Sequence, residues 1–317
     1  MTSYKVLAFP PGSDKEGMAM KILVFGSLNI DRTYRVTHFV SAGETLSAQR
    51  MELYCGGKGF NQAIALSRAG NQVYFAGAVG EDGQMLLDAL TANGVDCSHV
   101  LQLPCSTGHA VIQVEDSGQN SIIILAGANG MISLSDIDKV LADFSAGDLI
   151  VLQNEISHMP ELLEKAHQKG MIVALNPSPM NAAIAACRLE MIDYLLLNET
   201  EGAELTGCSS PDDVLASLHT RYPQTHIVLT LGEDGSLFQD TDGEITQVGI
   251  FPVQAVDTTA AGDTFTGYFL SEIVRGSTAL EALRTAAVAA GLSVTKQGAE
   301  PSIPHRKDVV EALETFI

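Results

Sequence analysis

The sequence predicts an α/β protein built on a mostly parallel sheet, and two observations carry that expectation. From residue 148 onward, four apolar runs (DLIVLQNE, GMIVALNPSP, DYLLLNETE and HIVLTLGED) alternate with helical patterns such as PELLEKAHQKG, EGAELTG and PDDVLASLHTRYP. Continuous apolar strands separated by helices mean a parallel sheet covered on both faces, because each strand must be apolar on both sides. The four runs also close alike, on Glu155, Asn176, Asn198 and Thr230. Open α/β sheets bind ligands beyond the carboxyl ends of their strands, so four polar endings in succession predict a shared cleft.

The bulk properties fit this class. At 317 residues, 46% hydrophobic and 18% charged, the chain suits one large domain with a small appendage and fits neither disorder nor a repeat array. A net charge of -20 argues against nucleic acid or an anionic membrane as partner. An anionic substrate would then need local help from a metal ion, helix N-termini or placed lysines. Five cysteines, Cys55, Cys97, Cys105, Cys187 and Cys208, are odd in number and lack CxxC spacing, which fits a reduced, cytoplasmic compartment. Residues 1–20 read as an N-terminal tail, with Met18 and Met20 as later candidate starts. Their apolar character is broken by Pro10, Pro11, Asp14, Lys15 and Glu16, so no signal peptide is expected. No stretch approaches the roughly 18 apolar residues of a membrane span.

Along the chain, KILVFGSLNID is a short apolar run ending in small and polar residues, the form of a buried strand emerging at a binding edge. RTYRVTHFVSAGETLSAQRMELYCGG alternates more weakly, as does HAVIQVEDSGQNSIIILAG, where DSGQN signals a hairpin turn. Both predict strands of a small exposed sheet. Between them FNQAIALSRAG and DGQMLLDALTANG carry helical spacing and stop at glycine. After the parallel region come a hairpin at GSLFQDTDGEITQVG, the segment VDTTAAGDTFTGYF, and the small-residue helix ALEALRTAAVAAGLSV.

Four local motifs offer chemistry. Asp263 stands among small residues ahead of an apolar segment, where it could cap a helix or act as a general base beside an anion site at the helix mouth. CGGKGFNQA supplies two glycines for close backbone approach, with Lys58 and Asn61 as cation and amide; a turn with a solvated lysine is its plain alternative. Asn29 and Asp31, two apart on an extended strand, share a face and suit neighbouring sugar hydroxyls, unless they merely form an Asx turn. In NETE, Asn198 could cap a helix, and Glu201 could hold water on Mg2+. The eight histidines show no metal spacing.

In order, GSLNID, GGKGFNQA, LNPSP, NETE, LTLGEDG, VQAVDTTAAGDTF and KQGAEPSIP resemble the ribokinase branch of the PfkB carbohydrate kinases, from about residue 21 to the C-terminus. The resemblance implies a ribokinase-like three-layer sandwich with a mostly parallel central sheet and a small β-sheet lid, its lid formed near 32–54 and 105–126. It implies ATP-dependent phosphorylation of D-ribose to D-ribose 5-phosphate, with Asp263 as the base and Ala260, Ala261, Gly262 and Asp263 as an anion hole. The sugar contacts would be Asn29, Asp31, Gly57, Lys58, Asn61 and Glu155. Asn198, Thr230, Gly232 and Gly235 would meet the nucleotide, with Glu201 associated with Mg2+. Asp257, Thr259, Ser293, Lys296, Gly298 and Ser302 match a monovalent-cation site for K+. Pairing of two lids would give a homodimer.

Three positions depart from the pattern: Phe60 in the sugar loop, His109 in the lid and Ala287 near the nucleotide. A ring at Phe60 would reshape the sugar pocket, which leaves another pentose, a deoxysugar or a nucleoside open. Two rival classes remain. A catalytically silent sugar-binding protein would not need Lys58, Asp263 and NETE together, and a nicotinamide oxidoreductase would need a GxGxxG after the first strand, which GSLNID lacks.

Overall fold

The computed structural model describes residues 20–117 and 119–316. Apart from Met20, the expected N-terminal tail lies outside the described residues. A nine-stranded sheet forms the centre. In chain order its strands are β1 (Ile22–Phe25), β4 (Val73–Val79), β5 (Asp96–Gln102), β8 (Leu149–Gln153), β9 (Ile172–Asn176), β10 (Tyr194–Asn198), β11 (His226–Thr230), β12 (Ser236–Gln239) and β13 (Ile245–Val248). The spatial order is β13-β12-β11-β10-β9-β8-β1-β4-β5, parallel throughout except for the antiparallel hairpin of β12 and β13. A separate four-stranded sheet contains β2 (Asn29–Arg35), β3 (Arg50–Gly56), β6 (Gly108–Val114) and β7 (Asn120–Leu125), in the order β3-β2-β6-β7.

Strand alternation divides the core into two. Ile22, Val24, Leu149 and Val151 face one cluster, which includes α1 (Lys58–Arg68), α2 (Gln84–Ala92), α8 (Ala261–Val274) and α9 (Ala279–Ser293). Leu23, Phe25, Ile150 and Leu152 face the other, with α3 (Leu134–Ala142), α4 (Met159–Gln168) and α7 (Pro211–Arg221). A period of two on strands covered on both faces gives this result directly. The remaining helices are α5 (Ala182–Ala185), α6 (Glu199–Thr206) and α10 (Arg306–Leu313).

The run KILVFGSLNID divides between the sheets, β1 in the centre of the large one and β2 in the small one, joined through Gly26, Ser27 and Leu28. From β1 the chain turns to β4 on one side and later returns to β8 on the other. That reversal of strand order opens a crevice at the carboxyl ends of β1 and β8. β4 and β5 were absent from the sequence expectation: β4 reads VYFAGAV, its apolar run diluted by alanines and a glycine, and β5 reads DCSHVLQ, a polar edge strand defined by its pairing with β4.

Candidate active site

At the crevice, Ser27 follows β1 and Glu155 lies just beyond β8. The Ser27 hydroxyl donates to Glu155 Oε2, which also accepts the Lys58 amide at 2.9 Å. The start of α1 is thereby held against the turn after β1. Its glycines make the approach possible: Gly57 takes a φ of 97°, and a Cβ on Gly59 would stand 2.6 Å from the Ser27 nitrogen. Phe60, one residue further, is fully buried in the core. The expectation that its ring reshapes a pocket is therefore corrected, since it belongs to the buried cluster on one side of the large sheet and lines neither cavity described below.

Asp263 sits in the first turn of α8 and is 8% exposed. It is not the helix cap. That place belongs to Ala260, in a left-handed conformation at φ 60°, with no side chain capping the helix. Both carboxylate oxygens turn instead toward α1, where Asn61 Nδ2 donates to Oδ2 at 3.0 Å and Gln62 Nε2 donates to Oδ1 at 2.9 Å. The Ala261 amide turns back onto the Thr258 carbonyl at 3.2 Å. The first-turn amides at Gly262 and Asp263 have no acceptor within the helix, as at any helix start, and make this mouth suited to an anion.

Two cavities flank this arrangement. One, of about 370 Å³, is lined by Lys58, Asn176, Asn198, Glu201, Thr230, Gly232 and the loop Ala260–Asp263. Three of the four polar strand endings thus share a cleft. The fourth, Glu155, lines the second cavity, of about 330 Å³, with Asn29, Asn129, Asn154 and Pro179. The Lys58 amide bonded to Glu155 is where the two meet. Gly235 lines neither; at φ 95° it forms the turn into β12, and a Cβ there would stand 2.2 Å from the Val248 carbonyl.

In the second cavity Asn129 orients Asn29. Its Nδ2 donates to Asn29 Oδ1 at 2.8 Å, and its Oδ1 accepts the Leu28 amide at 3.0 Å. With its oxygen occupied, Asn29 keeps its amide hydrogens for a ligand. Burial, and then the nearby charge of Glu155, push the Asp31 carboxyl up from 3.8 to about 7.

On the other side Asn198 and Glu201 form a capping box: Asn198 Oδ1 accepts the Glu201 amide at 2.9 Å and Glu201 Oε2 accepts the Asn198 amide at 3.0 Å. The capping alternative thus holds for Asn198, which lines the cavity as well. Asn176 Oδ1 is buried without a partner among the described residues. Further along, the Asp257 carboxylate accepts Thr259 N at 2.9 Å, Thr259 Oγ1 at 2.6 Å and Gly298 N at 2.9 Å. The bonds to Thr259 brace the loop before α8, and the bond from Gly298 ties it to the segment that carries Lys296. The buried Ser293 and Ser302 hydroxyls donate to Ala290 and Ala299 carbonyls, at 2.8 and 2.7 Å.

The pfkB family carbohydrate kinase model matches residues 19–306. The chain belongs to the PfkB family of carbohydrate kinases. This kinase is 36% identical over 307 residues to a ribokinase of Haemophilus influenzae, covering 94% of this chain and 99% of that one. It is 34% identical to a deoxyribokinase of Salmonella typhi, covering 93% of this chain and 99% of that one. Its structure is similar to that of Arabidopsis thaliana ribokinase complexed with ribose and ATP, with a TM-score of 0.83, 34% identity and 94% and 99% of the two chains covered.

Sequence reasoning missed Ser27, Gln62, Asn129 and Gln153 in this kinase. Gln62 sits inside GGKGFNQA and Gln153 inside VLQNE, so both strings were in view. A fully buried glutamine in an apolar segment is the signal that could have found them, because a buried amide needs a partner.

Proposed function

We propose that this carbohydrate kinase transfers the γ-phosphoryl group of ATP to the 5-hydroxyl of D-ribose. The observation that carries the proposal is the Asp263 carboxylate, buried at the mouth of α8 and held from α1 through both its oxygens. Asp263 takes the proton as the hydroxyl oxygen attacks the γ-phosphorus and ADP departs, and the amides of Gly262 and Asp263 receive charge developing on the phosphoryl oxygens. The sugar occupies the cavity lined by Asn29 and Glu155, beside Asp31, Gly57, Lys58 and Asn61; the nucleotide occupies the cavity of Asn198, Thr230 and Gly232. The ribokinase relatives support ribose as the sugar.

Glu201 and the orphaned Asn176 Oδ1 are oxygen donors that suit Mg2+, which when bound neutralises phosphate charge. A K+ ion near Asp257, Thr259, Ser293, Lys296, Gly298 and Ser302, an oxygen-rich segment, would order the loop before α8. The four-stranded sheet acts as a lid over the sugar and pairs with the lid of a second copy, a reading supported by the exposed β7 residues Ile122, Ile123, Ile124 and Leu125. A cytoplasmic location is supported by the five free cysteines, and fractionation of cells with an antibody would test it.

The experiment is an ATP-dependent phosphorylation screen over D-ribose, 2-deoxy-D-ribose, other pentoses, hexoses and nucleosides, with NMR of the product. D-ribose 5-phosphate is the expected product. A far higher kcat/KM for a deoxysugar, nucleoside or hexose would reassign the substrate and leave the kinase chemistry in place.

A further inference from the structure

Two glutamines beneath Asp263 form a chain whose polarity is set by the carboxylate. Asp263 Oδ1 can only accept, so the Gln62 side chain must present nitrogen to it, at 2.9 Å. The Gln62 oxygen then faces away, toward Gln153, and must meet a donor. Gln153 Nε2 supplies it at 2.7 Å. Both glutamines are fully buried, so neither can exchange this arrangement for water. The chain ends at Gln153 Oε1, which has no partner among the described residues and points at Gly26, where a Cβ would stand 2.1 Å from it. The turn after β1 thus leaves room for the far amide at a position where a side chain would collide.

We infer that Gln62 and Gln153 are positioning residues for phosphoryl transfer: Gln153 fixes the amide of Gln62, which fixes the rotation of the Asp263 carboxylate. Neither lines the sugar or nucleotide cavity, so neither contributes to binding directly. Asn61 holds Oδ2, and the pair from α1 gives the carboxylate two anchors and one orientation. Without Gln62 the carboxylate can turn about the single bond to Asn61. A displacement of about 1 Å in a reacting group can cost about a hundredfold in rate. The inference rests on Asp263 being the base, as proposed above.

The test compares wild type, Asp263→Asn, Gln62→Met, Gln153→Met and the double methionine variant. Methionine keeps the length and burial of glutamine and removes its donors. For each, kcat with ATP and D-ribose, calorimetric affinity for D-ribose and a melting curve are measured, the kinetics well below each melting point. Gln62→Met is expected to lower kcat about ten- to a hundredfold with ribose affinity within about twofold. Gln153→Met is expected to lower kcat less, and to have no further effect once Gln62 is replaced, because it acts only through that side chain. Unchanged kcat in Gln62→Met, or additive losses in the double variant, would overturn the inference while Asp263→Asn remained strongly impaired. Normal turnover by Asp263→Asn would overturn it together with the assignment of the base.

Discussion

The Asp31 carboxylate occupies the place of a side chain that Gly56 does not have. A Cβ on Gly56 would stand 2.1 Å from Asp31 Oδ2 and 2.7 Å from its Cγ. Asn29 faces Gly56 across the antiparallel pair of β2 and β3, so the glycine lies beside both Asn29 and Asp31. Gly56→Ala must therefore turn Asp31 out of its seat. The expected result is a rise in KM for D-ribose of roughly tenfold, the size of one lost charge-assisted hydrogen bond, with a smaller change in kcat. Initial-rate kinetics check it, and an unchanged KM would remove Asp31 from the sugar site.

Affinity for D-ribose is expected to depend on pH through the same carboxylate. Asp31 is raised to about 7 by burial and the charge of Glu155, so it is largely protonated at pH 6. Sugar hydroxyls donating to it favour the charged form, so binding lowers its pKa, and by linkage affinity rises with pH up to about 7 and levels off above. Calorimetry between about pH 5.5 and 8.5 measures this. Affinity flat across the range, with no proton release on binding, would contradict it.

The bond from the Gly298 amide to Asp257 ties the loop before α8 to the 293–302 segment. A cation ordering that segment, as proposed, is expected to raise activity without touching substrate. Turnover in buffer free of potassium and sodium should rise on adding KCl and not on adding choline chloride. Equal rates would dismiss the cation site.

β7 is an edge strand, and Ile123 on it is 65% exposed. An apolar edge of this kind invites pairing with another chain. Sedimentation should give a dimer for the wild-type chain and a monomer for Ile123→Lys. A wild-type monomer at micromolar concentration would refute the pairing.

What could be read in advance follows from how local each signal is. The parallel region was legible because β8 to β11 are apolar on both faces and their endings repeat, and Asn176, Asn198 and Thr230 do share one cavity. β5 was not legible, since DCSHVLQ gains strand character only from β4 beside it. The positions of Asn61 and Asp263 could be named from their motifs, but not the bond between them, which joins α1 to α8 across most of the chain. The effect expected of Phe60 failed for a related reason. Its helix start is pressed onto Ser27 by flanking glycines, which turns the ring into the core.

The central claim is that Asp263 is the base that removes the sugar proton, and Asp263→Asn tests it most directly. Asn keeps the size and one acceptor, but its amide nitrogen must face an amide donor from Asn61 or Gln62. A loss of about 1–3 kcal/mol in stability is expected from that unpaired donor, too little to unfold a domain of ordinary stability. Removing a general base costs about 10²- to 10⁴-fold in rate. The measurement is kcat with D-ribose and ATP, with ribose affinity and a melting curve on the same preparation. The account predicts kcat at least about a hundredfold below wild type with a folded, sugar-binding protein; near-normal turnover by that protein would contradict it.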